Sequence, residues 1–458
     1  MLRLSWSQPE DLVGHAIAAA EQEGSDVSGH RQRWIDGGGD PEPRASGASP
    51  EPAPEQLRTL ARELLAELDA IGPPADLTGR EPSDLGGILA SGGPIPALPP
   101  AGDGIADRIH AAWLGRAAGC LLGKPVEKIH RDGIRAIAEA TGNWPIRTYF
   151  TERGLPARIA TAWPWNRRSR PTSLLENIDG MPEDDDLNFP LLALGLVEQR
   201  GRGFTTDDVA QAWLNLLPGG RVFTAERIVY RNLLNGHEPD EAALVQNPFR
   251  EWIGAQIRTD LYGWVHPGDP VAAAKVAWVD ARLSHVRSGV YGAMFAAAAC
   301  AAAVVADDVD AVLDAGLAVV PVQSRYADAV RFGRELGASG APLDDALDRL
   351  YRRYGGLHWV HVLNNAALVA YALAASRGEF GTAISTGVAG GWDTDSNGAT
   401  LGSISGALTG TAGLPAAWIT PLKNRLSSSV PGFDGIGFDE LARRTAALAG
   451  ERDDDARS

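Results

Sequence analysis

The chain has very little cysteine: Cys120 and Cys300 are the only two in 458 residues. Two thiols cannot build a disulfide framework, and none of the nine histidines joins them at the spacing of a zinc site. A reducing, cytoplasmic location is therefore expected. Basic charge is also short, with 42 Lys and Arg against 58 Asp and Glu and a formal net charge of −16. That balance argues against a general nucleic-acid binder or a surface drawn to anionic membranes, and no stripe of Lys and Arg interleaved with aromatics occurs. Long apolar runs are scarce as well. Residues 289–306 reach membrane length, but they are mostly alanine and are bracketed by Arg287 and Asp307, which predicts a buried central helix. Residues 1–10 show no basic region followed by an apolar core, so no secretory signal is expected. There is no Gly-x-Ser-x-Gly nucleophile elbow. Residues 119–124 are one residue short of a phosphate-binding loop, and Pro125 stands where its hydroxyl would be.

What is present is a loose N-terminal quarter followed by a run of helical signals. A short helical pattern covers 11–23, and a stretch dense in Gly, Pro and Ser covers 36–54. Leu57, Leu60, Leu64, Leu65 and Leu68 then mark one face of a helix over 54–71. A second Gly/Pro-rich passage at 86–104 leads to the expected catalytic domain at 105–450, leaving 1–104 as an extension and 451–458 as a disordered tail. Asp269 followed by Pro270 caps a helix running to about 281. Further helices are predicted over 107–122, 187–199, 206–217, 224–234, 308–319, 325–336, 343–354, 359–375, 380–388, 397–407 and 438–448. Strand-like pieces such as 146–150 are short and no βαβ rhythm appears, so the fold class is all-α, a multi-helix bundle. Small residues crowd 296–303 and 398–407, which would let helix axes approach closely.

Two acidic clusters stand out. Glu183, Asp184, Asp185 and Asp186 precede one apolar helical run, and Asp393, Thr394, Asp395 and Ser396 precede another. Acidic residues also cap helices and complement the dipole, so either cluster alone reads equally as a solvated cap. Recurrence of the device at a second helix start favours a shared ion. Converging, the two would form an all-oxygen cage suited to Mg²⁺ or Mn²⁺ rather than zinc.

The order of motifs resembles the ADP-ribosylglycohydrolase family, which includes the dinitrogenase reductase-activating glycohydrolases. Residues 107–127, with Gly119-Cys-Leu-Leu-Gly-Lys-Pro-Val-Glu127 at their end, look like the family's opening helix and following loop. Glu183 to Asp186 stand where the family has Thr-Asp-Asp-Thr, and Asp393 to Ser396 match its Asp-Thr-Asp-Thr/Ser. The resemblance runs over 107–433 and implies an orthogonal all-α fold holding two Mg²⁺ or Mn²⁺ ions. By that resemblance Glu183, Asp184, Asp185, Asp393, Asp395 and Ser396 would be ligands, with Asp184 and Asp185 also catalytic. Glu127 falls where the family has a mobile catalytic glutamate. Gly254, Ala255, Gln256, Ile257 and Arg258 are similar to its diphosphate-cradling loop, and Ser284 and His285 to its Ser/Thr-His pair near the ribose and adenine. Departures are Glu183 and Asp186 for threonines, Cys120 where many members carry Asp, and Trp392 for a glycine beside the second cluster, where it would stack on or crowd the substrate.

The resemblance implies hydrolysis of a ribosyl glycosidic bond, releasing ADP-ribose from a protein side chain or a smaller conjugate. A dinuclear site could chelate vicinal ribose hydroxyls and activate water, while carboxylates stabilise an oxocarbenium-like state. Two alternatives stay open: a glycosidase for a nucleoside-like metabolite, and a catalytically silent binding or structural member, since the family includes lens crystallins.

Overall fold

The computed structural model describes residues 2–450, and the tail expected at 451–458 lies outside them. Among the described residues there is no strand; β-pairing is limited to isolated bridges, and 146–150 is irregular. The fold is all-α. Eight helices position the site: α1 (Pro9–Glu23), α2 (Glu55–Ile71), α3 (Ile105–Gly123), α4 (Asp185–Arg200), α5 (Thr224–Leu234), α6 (Arg287–Ala303), α7 (Val362–Ser376) and α8 (Thr394–Thr409).

Helix α6 is the expected central helix. All of its residues are buried, and its alanines make that possible, because alanine loses no side-chain entropy and lets neighbours close in from every side. No helix among the described residues is long and apolar enough to cross a membrane.

The tightest contact joins α3 to α8. Gly115, Gly119 and Gly123 recur every four residues and so share one face of α3; Gly398, Gly402 and Gly406 do the same on α8. A Cβ on Gly119 would fall inside the radius of the Gly398 carbonyl oxygen, one on Gly115 would strike the Gly402 carbonyl, and one on Gly123 would strike the backbone of Thr394. The two helices therefore touch backbone to backbone and run antiparallel. Their pairing sets the C-terminal end of α3 against the N-terminal end of α8. The Thr394 hydroxyl donates to the Gly123 carbonyl at 2.8 Å, satisfying a carbonyl that the end of α3 would leave without an intrahelical donor. Small residues thus bring α8 against α3, the close approach that the small residues of 398–407 predict.

The N-terminal segment packs on this body. Trp6 and His15 lie edge-on to Phe249 and Trp252, with centroid separations of 5.1–5.8 Å. Nearby, Arg287 pairs with Glu251 at 2.5 Å and with Glu23, and Arg325 pairs with Glu81 at 2.8 Å and Glu251 at 2.7 Å. Burial would raise the Glu251 carboxyl, but Arg287 and Arg325 outweigh it and hold that group ionised. These pairs avoid leaving lone charges in an apolar seam.

Two outcomes follow. Gly119→Ala should cost about 3 kcal/mol, the upper end for overpacking, because rigid backbone rather than a movable side chain must yield; urea denaturation measures it. Burial, then His358 and Arg44, lowers the His15 pKa to about 3. The unfolded chain therefore binds the extra proton first, and stability present above pH 6.5 is lost as the pH falls. At pH 5 the loss from His15 is on the order of 2 kcal/mol, so His15→Phe should flatten the acid side of a thermal-denaturation profile.

Candidate active site

The first acidic cluster is built by the start of α4. Asp184 is the N-cap, extended at φ −155° and ψ 151°, and accepts from the Asp186 amide at 3.0 Å. The capping interpretation is thus correct for one of its oxygens. The other contacts the ammonium of Lys124, which lies in the turn following α3 and also donates to the Glu183 carbonyl at 3.3 Å. The second cluster starts α8. Asp393 occupies the N-cap position but makes no side-chain cap bond, which leaves its carboxylate to face its neighbours. Asn365 on α7 fixes that turn, its Oδ1 accepting from the Asp393 amide at 3.3 Å and from the Asn397 side chain at 2.7 Å. The Ser396 hydroxyl donates to Asp186 at 3.3 Å across 210 positions of sequence.

Two sets of donor atoms result. Glu127, Asp393 and Asp395 bring one oxygen each within 4.8 Å of one another, and Cys120, Asp184 and Asp186 form a similar group through a thiol and two carboxylates. Burial, then Glu127 and Asp184, pushes the Asp395 pKa up to about 7. Burial and the charges of Asp395 and Glu127 likewise raise Asp393; burial and Asp184 raise Asp186. For Asp184 burial also acts upward, but Lys124 and the hydrogen bonds prevail and hold it below the usual value. Like charges confined this way are what a hard cation relieves.

The carboxylates of both sets form the floor of a cleft of about 990 Å³. Arg167, Arg168 and Arg221 line its walls with Trp163, Phe223 and Trp359, and Ser5, Trp6, Ser46 and Gly47 supply an edge from the N-terminal segment. That edge is tied down where Trp359 donates to the Ala45 carbonyl at 2.6 Å and where Lys128 lies 5.3 Å over the Trp359 ring. Glu127 accepts from Asn166 and pairs with Lys128 at 3.2 Å.

Not every expected site residue reaches the cleft in the same way. Asp184, Asp185, Asp393, Asp395 and Ser396 line it, as do Gly254 and Ile257. Glu183 also lines it, but its carboxylate is engaged by Arg221 at 3.1 Å and Asn188 at 3.2 Å. Ala255 and Gln256 are turned inward and fully buried. Arg258 points the same way, 1% exposed, and pairs with Glu226 at 2.6 Å and Asp280 at 2.5 Å. It also donates to Ser284 at 2.8 Å, and Ser284 meets His285 Nδ1 at 2.7 Å, so these three residues share a buried network beneath the cleft. A charge so fully paired has no further donor to offer a ligand. Trp392 stacks on Tyr351 with centroids 4.5 Å apart and is 6% exposed, so its ring belongs to the interior.

Three contributors were not singled out from sequence. Lys124 was passed over with the incomplete phosphate loop, although a lysine placed directly after a helix end and ahead of Pro125 was the available signal. Asp186 belongs to the first acidic cluster but not to the ligand set that the resemblance implies, yet it receives Ser396. Arg116, fully buried, donates to the Asp186 carbonyl at 2.8 Å, to Asp260 at 2.6 Å and to the Ile257 carbonyl. It ties α3, the start of α4 and the 253–258 turn together, and nothing in its helical spacing announces that.

The sequence model of a family described as ADP-ribosylglycohydrolase matches residues 101–455. No curated protein matches the chain. A solved structure described as an ADP-ribosylglycohydrolase-related protein complex is 19% identical, with 75% of this chain and 97% of its own covered and a TM-score of 0.40.

The crowded carboxylates make a testable demand on the metal-free chain. The folded Asp395 pKa lies above its unfolded value, so the folded form binds the extra proton and stability drops as the pH rises from about 4 to about 7. Asp395→Asn removes that loss. In chelator its melting temperature should exceed that of the wild type, by a margin that widens up to pH 7 and then levels off.

Proposed function

Since the chain belongs to the ADP-ribosylglycohydrolase family, we propose that it is a metal-dependent hydrolase that cleaves a ribosyl glycosidic bond and releases ADP-ribose from a protein side chain or a smaller conjugate. The observation that carries this reading is the Ser396 to Asp186 contact, because it joins the two acidic clusters on the floor of one cleft. The carboxylates of Glu127, Asp393 and Asp395 are hard donors with a surplus of negative charge and fit Mg²⁺ or Mn²⁺. Such an ion, when bound, supplies Lewis acidity and lowers the pKa of water.

The remaining work falls to side chains of this chain. Asp185 lines the cleft and, among the described residues, makes no ion pair and no hydrogen bond to another side chain, so it can move a proton at the leaving group. Asp184, kept ionised by Lys124, stabilises the positive charge that develops on the sugar. Glu127 is poised between Asn166 and Lys128 to orient water or gate access. Arg167 and Arg168 suit a diphosphate, and Trp163 and Phe223 offer apolar faces to a base. Gly254, in the first turn of the 253–258 helix, lines the cleft too and would add an uncharged backbone donor. Residues 1–104 act as an extension that shapes the edge, and the two buried free cysteines suit a cytoplasmic location. Partners are ADP-ribosylated substrates, with neither nucleic acid nor membrane required.

The edge formed by Ser5, Trp6, Ser46 and Gly47 narrows the approach and favours a second reading in which the substrate is a small ribosyl or nucleoside-like conjugate. A turnover screen over arginine-linked, serine-linked and small-molecule-linked ADP-ribose, with and without chelator, tests both readings. Chelator-sensitive release of ADP-ribose is expected, and the productive leaving group separates them. Asp395→Asn should lower turnover about a thousandfold, several kcal/mol of lost charge stabilisation. Binding of ADP-ribose without turnover of any conjugate would identify a silent member instead.

A further inference from the structure

We propose that Lys124 is a built-in cation that takes the place of one of the two metal ions implied by the family resemblance, so that the centre binds a single divalent ion at Glu127, Asp393 and Asp395. The inference rests on the metal-dependent reading above and concerns how many ions that reading requires.

Three observations carry it. The Lys124 side chain is only 7% exposed, its ammonium contacts the Asp184 carboxylate directly, and it donates to the Glu183 carbonyl at 3.3 Å. Asp184 belongs to the Cys120, Asp184 and Asp186 set, so the ammonium already occupies the coordination space of that set. A divalent ion there would share one carboxylate with a fixed positive charge held in a site of low dielectric. Second, Arg116 flanks the same set from below, 3.5 Å from Asp186 and fully buried. Two fixed cations thus face Asp184, Asp186 and Asp260, the last paired with Arg116 at 2.6 Å, so most of the negative charge in this half is already offset. The other half has three carboxylates, and only Lys128, 40% exposed, pairs with one of them. Third, the remaining donor of the Asp184 half is the Cys120 thiol, a soft atom poorly matched to Mg²⁺ or Mn²⁺.

Lys124 is also held in place. It begins the Lys124–Val126 turn at the end of α3, followed by Pro125, and α3 is fixed by its glycine contacts with α8. Moving the ammonium out would strand Asp184 as a buried lone charge. A tethered cation cannot dissociate, so the positive charge of the ammonium would be independent of metal supply.

Manganese titration of the full chain by calorimetry, with metal content after desalting and electron paramagnetic resonance, tests the proposal without reference to turnover. The wild type should bind one equivalent and give a mononuclear spectrum. Lys124→Met should admit a second, weaker equivalent, and Lys124→Met/Cys120→Asp should tighten it at least tenfold and produce an exchange-coupled signal. Cys120→Asp alone, with the ammonium retained, should stay at one. Two equivalents in the wild type would overturn the proposal and leave the metal-dependent reading standing, whereas none would overturn both. If Lys124→Met folds, as judged by its melting curve, and still stops at one equivalent, lysine is not what excludes the second ion. If it does not fold, the wild-type stoichiometry decides.

Discussion

The contact on which the rest depends is the backbone-to-backbone packing of α3 against α8. Glycine at every fourth position on both helices removes the side chains that would otherwise hold the axes apart. The chain leaving α3 carries Lys124 and Glu127; the chain entering α8 carries Asp393 and Asp395. Because the two helix ends meet at Gly123 and Thr394, those four groups share one small volume. Asn365 and Arg116 complete the arrangement, the first by fixing the turn ahead of α8 and the second by fastening the start of α4 to α3. The acidic centre is therefore a property of the core, not of flexible loops laid over it.

That placement concentrates negative charge where water is scarce, and the structure handles it unevenly. Asp184 receives Lys124 and Asp186 receives Arg116, so burial and attraction are opposed within the same few ångströms. Asp393 and Asp395 receive no comparable partner, and their carboxyls are forced upward, that of Asp393 by burial and Asp395, that of Asp395 by burial, Glu127 and Asp184. The unevenness separates a side whose carboxylates already meet fixed cations from a side that has a use for a cation.

Much of the architecture was legible in the sequence, because its signals are local. The Asp269-Pro270 cap marks a helix observed at Pro270–Ala281, and the leucine face over 54–71 marks α2. The alanine run was readable as a buried helix, although its bounds are Arg287–Ala303 and not 289–306. Helix starts erred where the capping acids themselves are helical: α8 begins at Thr394 rather than 397. The acidic clusters were conspicuous, but the direction of each side chain was not. Arg258, Ser284, His285 and Trp392 have residue types found in binding sites, yet in this chain they satisfy one another or stack in the interior. Lys124 and Arg116 went unnoticed for the complementary reason: a partner far away in sequence leaves no periodic trace.

The cleft edge is borrowed from outside the family match, which begins at residue 101. Ser5, Trp6, Ser46 and Gly47 are carried by a segment that docks through edge-on aromatic contacts and arginine pairs and contributes none of the acidic donors. This part of the cleft edge and the acidic centre are consequently written in separate stretches of polypeptide. An evolving lineage can exchange the first while inheriting the second intact, so the opening hundred residues can reshape the mouth of the cleft without touching its floor.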